Sequence, residues 1–519
     1  MNISEMLGDS AKRQPNKTAY IFQDKATTYK EMDDQINRFA HVLQELGYKK
    51  GDHIALVLWN SPYFVTAFYG ALRIGVVVIP INPMFTANEL GYILNNAKVK
   101  GLVTMDVLSS QFEKMEVDLP NVSHYFFCDS GENDNVDQSS LSSNTFNFNT
   151  TLENSQLHYK RVDCDEDDTA MMLYTSGTTG HPKGTMLTYK NVYANAFYNT
   201  EHLEYNENDL VIATLPMVHA FCLGVGLCGP LLRGATVLIV PKFSPAEVFR
   251  IAKKYKATIF AGVPTMYSYL LQTAEKDAKL NEAFRSIRLF VSSGASLPVT
   301  LLYKFEKIFK AAVIEGYGLS EAASVSYNPV NHSRKAGSIG RPVGNVEMKV
   351  VDEQGNELAV GEEGELIISG SSVMKGYFNL PQVTSETLIN GWLYTGDIAR
   401  MDEEGFYYIV DRKKDIIIVS GYNVYPKEVE EVLYSNPYVK EAAVISQPHP
   451  TSGESVVAYV SLNNHTVTEE VLLQYCKERL AKYKVPVKVK FLKELPKNPT
   501  GKIMKKSLRI KSKKVREVI

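Results

Sequence analysis

The sequence predicts an α/β protein: a large N-terminal domain of mostly parallel sheets flanked by helices, residues 1–411, and a small mobile α+β domain, residues 412–519. Three observations predict it. Helical-period segments alternate with short apolar runs through most of the chain before residue 412. A loop rich in glycine and hydroxyl groups, residues 175–180, directly follows an apolar run, where open α/β sheets hold their ligands. Beyond Arg412 the pattern becomes a charged helix, two short strands and an amphipathic helix, enough for a compact unit of about a hundred residues.

The elements follow in order. Met32, Ile36, Phe39, Ala40, Leu43 and Leu46 recur at helical spacing, and Gly47 is a stop signal. Residues 54–58, Ile-Ala-Leu-Val-Leu, read as a strand. The most apolar stretch, residues 64–82, carries Arg73 and runs into Ile-Pro-Ile-Asn-Pro, which suits a buried helix leading to a strand better than a membrane span. Residues 130–168 dissolve into Asn, Ser, Asp and Thr and read as a surface excursion. Residues 169–174 are a buried strand. After the loop, residues 236–240 form a strand, and Ser244-Pro-Ala-Glu247 is a capping box opening a helix toward Tyr255. Residues 257–262, 287–292 and 312–315 are further strands, so function should gather at their carboxyl ends. In the C-terminal part, residues 426–434 and 468–480 are helices, and 441–446 and 455–462 are strands.

Hydrophobic residues make up 45% of the chain and charged residues 22%, an ordinary globular balance that excludes a disordered or fibrous protein. A net charge of −2 gives no overall attraction for nucleic acid, so any anion must be held locally. The N-terminus lacks the basic start and apolar core of a secretory signal. Five scattered cysteines form no Cys-x-x-Cys pair, and both facts point to the cytosol.

The run from Tyr174 to Gly184, Tyr-Thr-Ser-Gly-Thr-Thr-Gly-His-Pro-Lys-Gly, carries the chemistry. Backbone N–H groups and hydroxyls of such a loop can wrap phosphate oxygens, with Lys183 as a cation for the same charge. No Gly-x-x-x-x-Gly-Lys-Ser/Thr pattern fits it, so it is not a Walker loop. Gly224-Val-Gly-Leu-Cys-Gly229 satisfies Gly-x-Gly-x-x-Gly, but Pro230 follows directly and the next strand ends at Pro241-Lys242 rather than at an acid. A dinucleotide site is therefore not expected there. Small residues beside His219-Ala-Phe221, Gly224 and Gly226 among them, instead suggest a long space for something apolar. In Glu315-Gly-Tyr-Gly-Leu-Ser-Glu321 the Tyr317 face can stack on an adenine, Ser320 can donate to a phosphate and Glu321 can hold Mg²⁺ as a hard oxygen ligand.

The loop, together with Leu215-Pro-Met-Val-His219, the 315–321 run, Gly364-Glu-Leu-Ile-Ile-Ser-Gly370, Tyr394-Thr-Gly-Asp397, Asp411-Arg-Lys-Lys-Asp415 and Pro499-Thr-Gly-Lys502, resembles in order the motifs of the adenylate-forming superfamily. That group comprises acyl- and aryl-CoA synthetases, adenylation domains of peptide synthetases and beetle luciferases. The overall pattern is most similar to bacterial long-chain fatty-acid–CoA ligases. The resemblance implies ATP, Mg²⁺ and CoA as cofactor and co-substrates. Thr175, Ser176, Gly177, Thr178, Thr179, Gly180 and Lys183 would hold phosphates, Thr178 and Glu321 would ligate the metal, and Gly294 and Ala295 would line the adenine pocket with Glu315, Gly316 and Tyr317. Ser320 stands where the family usually has Thr and keeps the hydroxyl. Asp397 and Arg412 would bind the ribose, Lys414 would be the hinge, and Gly421 would face the pantetheine channel. The expected catalytic residues are Lys502, which bridges the reacting groups, Glu321, and His219, which orients the carboxylate.

The tail, residues 488–519, holds twelve basic residues against Glu494 and Glu517 and reads mostly as a solvated face. Its charge could also attract CoA phosphates or make a peripheral contact with an anionic membrane surface. The residues expected around the acyl chain, 219–226, 262–267 and 292–296, include no Arg or Lys, so an apolar tail fits better than a diacid. The expected activity is therefore a fatty-acid–CoA ligase acting through an acyl-adenylate. Medium-chain or aryl acids, a luciferase-like oxygenase and an inactive nucleotide-binding scaffold remain alternatives, and oligomeric state is left open.

Overall fold

The computed structural model describes residues 2–109, 112, 118–131, 144–175, 182–330, 333–449, 452–463, 467–498 and 501–514. Two mixed sheets dominate it. In the first, the strands Val313–Leu319, Leu289–Ser292, Ile259–Gly262, Leu210–Ala213, Thr236–Ile239 and Thr18–Phe22 lie side by side and parallel. In the second, Thr169–Thr175, Val77–Ile81, His53–Val57, Gly101–Met105, His124–Cys128 and Thr145–Asn147 do the same. Continuous β-branched runs such as Val-Val-Ile-Pro-Ile are what a strand covered on both faces requires. An antiparallel sheet of Glu347–Val351, Gly364–Ser369, Trp392–Met401 and Tyr407–Arg412 follows.

One apolar core takes in residues from Ile3 to Tyr407, and separate clusters take in residues from Ile417 to Leu508. The second group packs the helices Pro426–Tyr434 and Glu469–Lys477 against the long hairpin of Val439–His449 and Gly453–Leu462. No helix among the described residues is long and apolar enough to cross a membrane. The apolar stretch near residue 64 is the helix Pro62–Arg73, and its buried Arg73 ion-pairs with Asp33.

Four expectations need correction. The surface excursion is partly core: within it Thr145–Asn147 extends the second sheet, and Phe148, 1% exposed, packs 5.0 Å from the Phe39 ring. Polar composition hid one large anchor. The Ser244 capping box does not form, because Arg250 takes the Glu247 carboxylate at 2.7 and 2.8 Å, although Pro245 does open the helix Pro245–Tyr255. The strand at Val313 does not stop before the Gly-Tyr-Gly run but continues to Leu319, and turns back through 320–322 into Ala323–Tyr327.

The last correction concerns Gly224 and Gly226, which open no tunnel. They lie in the π-helical turn Cys222–Cys228, packed on the helix Tyr189–His202. A Cβ on Gly224 would lie 2.7 Å from the Asn195 amide, and one on Gly226 would lie 2.9 Å from Cys222 Sγ. The missing side chains allow close helix packing rather than leaving space. Gly229 is tighter still, its Cβ position being 2.3 Å from Thr200 Cγ2 and 2.5 Å from the Gly224 carbonyl oxygen. Gly229→Ala is therefore expected to destabilise the N-terminal part by about 1–3 kcal/mol. Denaturant unfolding followed by tryptophan fluorescence checks it, and an unchanged midpoint would show that the helices can move apart freely.

Candidate active site

The carboxyl ends of the parallel strands Ile259–Gly262, Leu289–Ser292 and Val313–Leu319 converge on one side of the first sheet. Gly294 and Ala295 follow the second of these strands and are exposed, Gly294 taking the left-handed φ of +83° that its turn needs. Tyr317 points from the third toward Asp397, to which its hydroxyl donates at 2.5 Å. Asp397 is 3% exposed and also pairs with Arg412 Nε at 3.1 Å, its cross-strand neighbour. These three residues make one connected polar group.

The nucleotide loop is carried by an antiparallel hairpin in which Thr175 pairs with Lys183. Ser176, Gly177, Thr178, Thr179 and Gly180 lie outside the described residues. From the hairpin base the Lys183 ammonium lies 5.1 Å from the centre of the Tyr377 ring, and the Tyr377 hydroxyl donates to Glu321 Oε1 at 2.9 Å. Glu321 sits in the tight turn after Leu319, beside Ser320, and Met374 N–H donates to its carbonyl at 2.7 Å. Glu321 Oε2 accepts no hydrogen bond among the described residues, so a hard oxygen ligand is left open next to the loop. That fits Mg²⁺, which takes one or two carboxylates and completes its shell with phosphates and water. Tyr377 was missed in the sequence. Its neighbours give no signal, and only the pairing of Gly376–Tyr377 with the loop hairpin brings it there.

Glu315 is braced within the fold. Its buried carboxylate accepts from Leu297 N–H at 3.3 Å and Gly337 N–H at 3.2 Å, and burial pushes its pKa up to about 7. It ties the adjoining turns together. Gly316 likewise answers to the fold, since a Cβ there would lie 2.2 Å from the Tyr327 ring.

His219 begins the helical turn that leads into Cys222–Cys228. Burial, and then the charge of Lys502, push its pKa down to about 4. Lys502 itself is pushed down to about 8, by burial first and by Arg412 and Lys414, with Asp397 opposing. Both side chains keep solvent-accessible surface although protein crowds them closely. They therefore line a solvent-open recess with protein crowding its sides. Lys502 arrives from the C-terminal part on a turn closed by Asn498, whose Oδ1 accepts from Lys502 N–H at 2.8 Å. The tail is thus less solvated than expected: Lys497 pairs with Glu441 at 2.7 Å, Lys505 with Glu430 at 2.7 Å and Arg509 with Asp415 at 2.8 Å.

Lys414 lies in the short turn Lys413–Asp415, exposed, where the two cores meet. Gly421, with φ +85°, is at the exposed tip of the hairpin Ile417–Val419 and Tyr422–Val424, with open space around its Cβ position. Of the expected site residues, the structure gathers Lys183 and Glu321 in one group and Tyr317, Asp397, Arg412, Lys414, Lys502 and His219 in another. Gly421 stands apart at its hairpin tip.

The arrangement offers a recess with a neutral imidazole, a lysine, an arginine and one buried carboxylate, next to a phosphate-type loop and an open carboxylate oxygen. Comparison with known proteins agrees with it. The model of the AMP-binding enzyme family matches residues 7–378, and that of the AMP-binding enzyme C-terminal domain matches residues 428–502. The chain is 38% identical to a long-chain-fatty-acid–CoA ligase of Bacillus subtilis over 98% of its own length and 94% of the relative's, and 36% identical, with the same coverage, to one of Escherichia coli O157:H7. The crystal structure of ATP-bound MatB from Rhodopseudomonas palustris superimposes with a TM-score of 0.91 at 30% identity, covering 99% of both chains. The recess, the loop hairpin and the lysine-bearing turn thus sit in a chain that belongs to the AMP-binding, adenylate-forming enzyme family.

Proposed function

We propose that the protein is an ATP- and Mg²⁺-dependent long-chain fatty-acid–CoA ligase. The observation that carries the mechanism is the meeting of Lys502 with His219 in one recess, beside Asp397 and Arg412. The long-chain assignment follows the named activity of the relatives and the absence of a cation among residues 219–226, 262–267 and 292–296. A diacid would leave its second carboxylate unpaired there.

In the first step a carboxylate oxygen of the fatty acid attacks the α-phosphorus of ATP. The new O–P bond forms as the bond from that phosphorus to the β-bridging oxygen breaks, and pyrophosphate leaves. The fatty carboxylate is already ionised near neutral pH, so no base is required. His219, held neutral, donates its ring N–H to the carboxylate without adding charge. Lys502 lies against carboxylate and α-phosphate and offsets the charge brought together there. Asp397 and Arg412 fix the ribose, and residues 175–180 with Lys183 hold the leaving phosphates. When bound, Mg²⁺ spreads phosphate charge, and Glu321 with Thr178 would hold it. In the second step the CoA thiolate attacks the acyl carbon and AMP leaves. We divide the chain at 411/412 and assign the hinge to Lys414: rotation there withdraws Lys502 and brings the Gly421 turn to the acyl group. ATP and CoA are supplied in the cytosol, where we place the enzyme.

Pyrophosphate release across acetate, octanoate, palmitate and benzoate, with and without CoA, tests this function. Palmitate is expected to be preferred, with thioester formed only when CoA is present; a preference for acetate or benzoate would remove the long-chain reading.

Lys502→Ala is expected to slow adenylate formation by about 10²-fold, about 2.7 kcal/mol, while thioester formation from supplied acyl-adenylate persists. Equal loss in both half-reactions would make Lys502 structural.

The pKa values give a sign. Lys502 loses its proton as pH rises through about 8, so kcat/KM for adenylation falls above that pH. His219 stays neutral down to about pH 4, and its imidazole proton resonances are expected to be constant from pH 8 to 5.5. In Lys502→Ala the His219 midpoint rises, because a cation that disfavours imidazolium is gone. A His219 midpoint near the ordinary 6.5 in the wild type would contradict the shared recess.

Glu321→Gln is expected to depress adenylation in a way that high Mg²⁺ partly restores, since an amide is a poorer ligand than a carboxylate. Unchanged metal dependence would take Glu321 out of the site.

A further inference from the structure

Lys502 reaches the recess because its turn rests on one face of the helix Pro264–Lys276. Thr265 and Tyr269, four positions apart and so neighbours on that face, make the contacts. Gly501 sits against Thr265: a Cβ on Gly501 would lie 2.6 Å from Thr265 Oγ1. Tyr269 stands among charges of the C-terminal part. Its hydroxyl donates to Glu494 Oε1 at 3.2 Å and accepts from Lys497 Nζ at 3.4 Å. The ammonium groups of Lys440 and Lys497 lie 5.3 and 5.5 Å from its ring centre. The ring quadrupole attracts both cations, and the hydroxyl adds charge-assisted hydrogen bonds.

The contact is mechanically tied to Lys502. Lys497 is fixed by Glu441 at 2.7 Å and Glu494 at 3.1 Å, with 13% of its side chain exposed, and it pairs antiparallel with Ile503. Between them the Asn498–Lys502 turn is closed by Asn498 N–H to the Lys502 carbonyl at 2.8 Å, Lys502 N–H to Asn498 Oδ1 at 2.8 Å and Gly501 N–H to the Asn498 carbonyl at 2.9 Å. Through these hydrogen bonds and the Lys497–Ile503 pairing, Lys502 is placed wherever Lys497 docks.

We propose that Tyr269 is a positioning residue for adenylate formation: it docks the Lys440, Glu494 and Lys497 cluster and thereby sets Lys502 in the recess. The inference rests on the reading of Lys502 as the cation of that half-reaction. Tyr269 touches none of the reacting groups and acts only through the lysine. Once the C-terminal part has rotated for thioester formation, the contact has no role, so the two half-reactions respond differently to its loss.

The test measures both half-reactions in the full-length enzyme for Tyr269→Ala, Tyr269→Phe, Lys502→Ala and the Tyr269→Ala/Lys502→Ala double variant. Tyr269→Ala is expected to lower kcat for adenylation about tenfold, with little change in the KM for ATP and unaltered thioester formation from supplied acyl-adenylate. Tyr269→Phe keeps the ring beside the two ammonium groups and retains most of the rate. Because Tyr269 acts through Lys502, the double variant should be no slower in adenylation than Lys502→Ala alone. Equal loss in both half-reactions, no loss in adenylation, or additive losses in the double variant would each overturn the docking role. If Tyr269→Ala fails to fold, Glu494→Ala and Lys440→Ala remove the same contacts from the other side and carry the same expectations. A Lys502→Ala variant with no selective adenylation defect would overturn the reading of Lys502 itself, an outcome distinct from loss of the docking role alone.

Discussion

The constraint on which the site depends is an imbalance of charge. Arg412, Lys414 and Lys502 converge around the buried carboxylate of Asp397, while Asp415, in reach of the first two, is itself paired to Arg509. Asp397 can satisfy Arg412, which it pairs at 3.1 Å, but not all three. Lys502 carries the deficit: burial and its two cationic neighbours make its proton easier to lose. A recess in that state is short of negative charge, and a carboxylate beside a polyphosphate supplies what is missing. Binding and catalysis then share one origin, since the ligand that relieves the repulsion is also the one whose reaction gathers charge there.

The same imbalance explains why the lysine comes on a separate piece of chain. Were Lys502 fixed to the first core, its repulsion with Arg412 would be permanent and the carboxylate-binding side of the recess would stay occupied through both half-reactions. On a turn that docks through side chains, the cation can be withdrawn. The contacts holding it are of the kind that can break: a hydroxyl, two ammonium groups over a ring and a partly exposed carboxylate, rather than a large apolar face. The core ending at Tyr407 and the clusters beginning at Ile417 are separate.

Much of this was legible in the sequence because backbone-directed features leave local signals. The parallel strands announce themselves as short β-branched runs, and Asp397 and Arg412 fall in short motifs whose order matches the family. What was not legible depends on neighbours distant in sequence. Gly224 looked like space and is a contact, because Asn195 of another helix occupies the position where its side chain would be. Glu315 is also a brace, because two N–H groups from turns at 297 and 337 reach its carboxylate. Phe148 was hidden in a polar segment that composition alone assigns to the surface.

Tyr377 and Tyr269 belong to that second class, and both have the same physical character. Each is an aromatic ring that accepts a cation on its face and offers its hydroxyl to a carboxylate: Lys183 and Glu321 for Tyr377, Lys440, Lys497 and Glu494 for Tyr269. At Tyr377 no ion pair among the described residues joins Lys183 to Glu321, so both remain available to a third partner, whereas at Tyr269 Lys497 and Glu494 also pair directly at 3.1 Å. At Tyr377 the open oxygen of Glu321 and the ammonium of Lys183 stay apart, as the proposed metal and phosphate roles require. At Tyr269 the cluster is held as a unit by the ion pairs of Lys497 with Glu441 and Glu494.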